Sequence, residues 1–212
     1  KITISNAATV TGATSGIIAE SGAGAIEITG AGTTTGTSAY GILARSGGNG
    51  QVDVLTTGAV TGGKTGIIAM SLGTGNVTVS GPGTTISNNG WGIYATSGGG
   101  NVNVAPASTV TGNEGIYAGT ALAGTVTVTA TKAITGTTLN GIQAASGTGS
   151  ITITNATSVS GATNGIYANS GAGTINISGA GTVSGTNANG ILATTLLGGS
   201  VNLTGTGTVS GK

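Results

Sequence analysis

Apolar and polar residues alternate along most of the chain in short runs, and the runs recur in a fixed order. The opening ITIS sets Ile2 and Ile4 on one face with Thr3 between them. Val77/Val79, Val126/Val128 and Ile175/Ile177 repeat that element. A second run, T-V-T-G, centres on Val10, Val60, Val110, Val159 and Val183. A third, G-I-x-A, carries Ile17/Ala19, Ile67/Ala69, Ile142/Ala144 and Ile191/Ala193. Period-two alternation over so few residues is the pattern of a half-buried strand. No window follows the 3.6-residue period of a helix, so the pattern predicts three short strands per repeat.

The repeats divide the chain into 1–24, 25–50, 51–75, 76–100, 101–124, 125–149, 150–173 and 174–199, with a half-repeat at 200–212. Such self-similarity marks a solenoid. Three strands with one apolar face each coil into a three-sided spiral, successive coils stacking at about 4.8 Å. The expected fold is all-β: a right-handed parallel β-helix, that is, a three-sided β-solenoid. It has about 25 residues per coil and eight and a half coils in a single domain, a rod of about 40 Å. Two glycine columns accompany the strands. One follows the second strand (Gly12, Gly36, Gly62, Gly112, Gly136, Gly161, Gly185), with Asn88 as its exception. The other precedes the third strand (Gly16, Gly41, Gly66, Gly92, Gly115, Gly141, Gly165, Gly190). Both are expected to supply corner conformations open to Gly and Asn.

This register assigns the outer faces. With Ile and Ala of G-I-x-A inside, the residue between them points out, giving the file Ile18, Leu43, Ile68, Tyr94, Tyr117, Gln143, Tyr167, Leu192. Three of the four tyrosines fall there because GIYA occurs three times, at 92–95, 115–118 and 165–168. Trp91 and Tyr40 stand in the corner just before it. An outward file of apolar and aromatic residues is a candidate contact ladder for a glycan, another rod or a host or matrix surface. The second strand instead turns out hydroxyl pairs such as Thr9/Thr11, Thr33/Thr35, Thr85/Ser87 and Thr109/Thr111. A Thr-x-Thr array resembles the ice-binding surface of several antifreeze proteins, although Ser and Ala interrupt it here.

Composition narrows the chemistry. Of 212 residues 45 are Gly, 4% are charged and 2% are aromatic, so no core of Phe, Trp and Leu can form. The net charge of +1 offers no basic patch for nucleic acid. Cysteine and histidine are absent, which removes disulfides, thiolate metal sites and any Ser-His-Asp set. No apolar run is long enough to span a bilayer. Glu20 and Arg45 occupy one column on adjacent coils and are expected to pair. Glu27 and Asp53, outward on neighbouring first strands, are expected about 5 Å apart; that spacing suits a retaining glycosidase, but no loop builds a cleft around them. GGNGQVDV at 47–54 misses the calcium-binding nonapeptide by one position. Four sequons, at Asn76, Asn155, Asn176 and Asn202, are expected by chance in so Asn- and Thr-rich a chain. No cofactor and no metal are expected.

The repeated GIYA, TVTG and SGxG blocks resemble the repetitive passenger regions of bacterial autotransporter adhesins and of filamentous-haemagglutinin-type surface proteins. The resemblance implies a right-handed parallel β-helix displayed outside a Gram-negative cell, secreted or anchored to the outer membrane. It supplies no match to a residue-level active site. The expected function is a structural or adhesive rod that mediates attachment or self-association, or that stacks end to end into an extracellular fibre. The alternatives are an ice-binding solenoid using the Thr-x-Thr face and a polysaccharide-active enzyme using Glu27 and Asp53. Because Lys1 enters directly at a first strand and Lys212 stops mid-coil, the chain is expected to be a piece of something longer.

Overall fold

The computed structural model describes residues 1–205 and 207–212. The first coil consists of β1 (Ile2–Ser5), β2 (Val10–Gly12) and β3 (Ile17–Ser21). Numbering continues three strands per coil to β25 (Val201–Thr204) and β26 (Val209–Ser210), with no helix among the described residues. Each strand up to β23 pairs in parallel with the strand three places on, so the chain builds three sheets of nine, nine and eight strands. Parallel neighbours need a long crossover; here the other two strands of the coil provide it.

Stacking is residue on like residue. Ile2 lies opposite Ile26 and Ile26 opposite Val52 in the first sheet, while Ala19, Ala44 and Ala69 follow one another in the third. The inward Ile, Val and Ala positions form one continuous core, in which Ile93, Ile116 and Ile142 are fully buried. Each buried Val or Ile contributes about 1.5–3 kcal/mol, so stability is distributed evenly along the rod.

One register differs from the hydrophobic pattern. In the fourth coil Thr85 pairs with Val60 and Val110 and is buried, whereas Ile86 points to solvent. The outward pair there is Thr84/Ile86, not Thr85/Ser87. The cause is the length of the first corner. Val54 to Val60, Val79 to Thr85 and Val104 to Val110 are each six positions, as is the corresponding step in every other coil. A corner held to one length sets which residue faces inward, and it overrides the preference of Ile86. Thr85 Oγ1 satisfies itself by donating to the Gly83 carbonyl at 3.2 Å.

The glycine columns also have a different origin from a left-handed backbone. Positive φ among the described residues is confined to Gly30, Gly81, Gly179, Gly198 and Gly205, none of them in either column. Both columns are glycine because other backbone lies against them. A Cβ on Gly62 would overlap the Thr65 carbonyl across its own corner. One on Gly141 would come within 2.7 Å of the Gly165 and Ser160 carbonyls and of a Val159 methyl. The exception to the first column is Ser87, which pairs with Gly62, and not Asn88. Its hydroxyl turns into the corner, donates to the Lys64 carbonyl and accepts from Gly90 N–H.

The serine of SGxG closes the third corner. Ser97 Oγ donates to the Gly75 carbonyl and accepts from Gly100 N–H, each at 2.8 Å. Ser170 does the same with Gly149 and Gly173.

Candidate contact surface on the third sheet

The outward file of the third sheet stands in register along the rod: Ile18, Leu43, Ile68, Tyr94, Tyr117, Gln143, Tyr167 and Leu192 are successive partners. Ile18 is the exposed member; the others are half-buried, because side chains one coil apart cover each other's flanks. The aromatic part is concentrated at mid-rod. Tyr94 and Tyr117 stack with centroids 5.0 Å apart and planes 14° apart, and Trp91 leans on Tyr94 at 4.9 Å and 56°. Trp91 thus joins the ladder from the corner position. Tyr40 lies in the same corner column opposite Thr65, beside a run of the file that is aliphatic.

Next to the file, two positions along each strand, is a column reading Arg45, Met70, Thr96, Gly119, Ala145, Asn169. Gly119 leaves room for the Tyr117 ring, whose Cε1 would lie 3.0 Å from a Cβ there. The result is a shallow trough of about 340 Å³ lined by Met70, Leu72, Tyr94, Thr96, Tyr117 and Ala145 among others.

A hydrogen-bonded chain in the corner column fixes this surface from behind. Asn189 Nδ2 donates to Asn164 Oδ1 at 3.2 Å, Asn164 Nδ2 to Asn140 Oδ1 at 2.9 Å, and Asn140 Nδ2 to Glu114 Oε1 at 3.1 Å. From the other side Trp91 Nε1 donates to Glu114 Oε2 at 2.9 Å. An indole can only donate, so the residue where the two directions meet must accept twice, and a carboxylate does so. Glu114 is 4% exposed. Burial raises its pKa above the ordinary carboxylate value, with the hydrogen bonds from Asn140 and Trp91 opposing. The Tyr117 hydroxyl is raised too, first by burial and then by the neighbouring Tyr94 and Glu114. Pattern reading passed over Glu114. Its signal is positional: the residue before the last five of the glycines preceding the third strand reads Trp91, Glu114, Asn140, Asn164, Asn189.

The remaining candidate groups are separate from this surface. Glu20 and Arg45 pair at 3.6 Å with both side chains in solvent. Glu27 and Asp53 are strand partners, but Lys1 Nζ holds Glu27 at 2.7 Å and Gln51 Nε2 holds Asp53 at 2.8 Å. On the second sheet Ala59, Ile86 and Ala133 interrupt the outward hydroxyls. Of the sequon asparagines, Asn155 is buried. No helix of the described residues is long and apolar enough to cross a membrane. No protein-family model, curated protein or solved structure matches the chain.

Proposed function

We propose that the chain is a stiff adhesive rod on the outside of a bacterium, and that the third-sheet ladder is the surface with which it attaches to a matrix, a host or another rod. The observation that carries this reading is the in-register file from Ile18 to Leu192, with its aromatic stack at mid-rod. Half-buried Leu, Ile and Tyr side chains aligned along one side form an apolar strip. Large contiguous strips of that kind are uncommon on proteins that contact nothing. The other two faces carry mostly Thr, Ser and Asn, suited to solvent. The solenoid supplies stiffness, since each coil is tied to its neighbours by three ladders.

The test replaces Tyr94, Tyr117 and Tyr167 together by Ser and measures adsorption to matrix- and polysaccharide-coated surfaces, with circular dichroism as the fold control. The expected result is loss of most of the bound mass with the β-signal retained. Unchanged adsorption would reduce the ladder to packing within the sheet. Electron microscopy gives a second readout: lateral bundles of the parent rods should disappear in the triple variant.

A further inference from the structure

The aromatic stack stops abruptly. Trp91 leans on Tyr94 from the corner of the same coil, while the face of Tyr117 turned away from Tyr94 looks onto the coil that carries Gln143 and Ala145. Gln143 is the one polar member of the file, and it is held in place: Asn140 Nδ2 donates to its Oε1 at 3.1 Å. Its Nε2 has no hydrogen-bond acceptor among the described residues and is free to donate outward. Asn140 is itself fixed by Glu114 and Asn164, so the amide is oriented in advance. Beneath the ring the floor is at its lowest, Gly119 and Ala145, between Thr96 and Asn169 on the flanking coils.

We infer that this free face of Tyr117, with Gln143 beside it and Ala145 beneath, is a subsite for one sugar unit of a neutral glycan. A pyranose has an apolar C–H face and a rim of hydroxyls. The first matches a phenol ring and the second a positioned amide donor, the usual combination of apolar wall and few polar groups in ligand sites. The trough of about 340 Å³ runs from Met70 and Leu72 past Thr96 and borders this position at Tyr117 and Ala145. Charge selects the class. The outward positions of these coils are Tyr94, Thr96, Tyr117, Gly119, Gln143 and Ala145, all uncharged, and both oxygens of the Glu114 carboxylate are already engaged. A uronate, a sulfated sugar or a nucleotide finds no cation there. Along the axis Tyr167 follows Gln143. The coil rise of about 4.8 Å is close to the advance of one unit in an extended β-linked glycan, so a chain lying along the rod meets successive rungs.

The inference rests on the adhesive reading and sharpens it. The test titrates the full chain with cello-, xylo- and malto-oligosaccharides, and with oligogalacturonate as the charged comparison. Saturation-transfer NMR and the emission of the single tryptophan, Trp91, report binding. The expected result is saturable binding of at least one neutral series, without binding of oligogalacturonate. Tyr117→Ala and Ala145→Asn, the latter introducing the residue type found at Asn169 in the same column, should each weaken it about tenfold or more, a loss of about 1.4 kcal/mol. Tyr117→Phe, which keeps the ring face, should lose less than Tyr117→Ala. Absence of neutral binding, preference for the charged series, or indifference to Ala145→Asn overturns the subsite. If neutral glycans fail while the triple Tyr→Ser variant still loses adsorption, the subsite falls and the contact face stands. If adsorption is also unchanged, both fall.

Discussion

Glu114 shows how a single residue can be dictated by hydrogen-bond direction. The asparagine chain donates toward it from one side and Trp91 from the other, so the junction needs an acceptor without a donor of its own. Glu114→Gln places an NH₂ against one of the two donors, which costs about 1–3 kcal/mol for a buried unsatisfied group. The pH dependence is separable. Because burial raises the Glu114 pKa, the folded state holds the proton more tightly than the unfolded chain. The stability it contributes is complete below the ordinary glutamate range and is lost as pH rises through the raised value. Urea unfolding across that range should show stability falling with pH in the parent. The slope should be absent in Glu114→Gln. Parallel curves would mean that Glu114 titrates as it does in the unfolded chain.

At the scale of the strand and its corner, close backbone approach governs. Gly141 and Gly22 are both glycines beside short strands, yet a Cβ at Gly141 meets two carbonyls and a methyl at 2.7 Å while one at Gly22 meets nothing within 4 Å. Gly141→Ala should therefore cost about 1–3 kcal/mol through overpacking. Gly22→Ala should stay within about 0.5 kcal/mol, and denaturant melts of the pair decide it. Inside the coil, Ile116→Ala empties a fully buried position between Ile93 and Ile142 and should cost about 2–5 kcal/mol. The uniform six-position first corner is the same principle acting on register: it buries Thr34 and Thr85 and exposes Ile86.

For the whole rod, modularity follows from nearest-neighbour stacking. Deleting residues 125–149 removes one complete coil and brings Glu114 beside Asn164, whose amide can replace that of Asn140. The shortened chain should fold with unchanged β-signal and a length reduced by about 4.8 Å, measurable by small-angle scattering. Collapse of the fold would show that the coils are not interchangeable. The deletion also removes Gln143 and Ala145, so the shorter rod should adsorb to surfaces yet lose neutral glycan binding.

The three-strand repeat, the inward Ile, Val and Ala columns, the outward file and the Glu20–Arg45 pair were legible in the chain itself. Side-chain alternation reports facing directly, and a solenoid transfers that pattern from coil to coil without rearrangement. Even the Thr85 register was available in the constant spacing from Val79, although apolarity alone pointed to Ile86. Tertiary structure decided what depends on neighbours from other coils: the steric reason for the glycines before the third strand, the half-burial of the ladder, and the donor conflict resolved at Glu114. It also decided the trough beside Tyr117. Those features arise between residues some 25 positions apart, where distance and hydrogen-bond direction exist only once the coils are stacked.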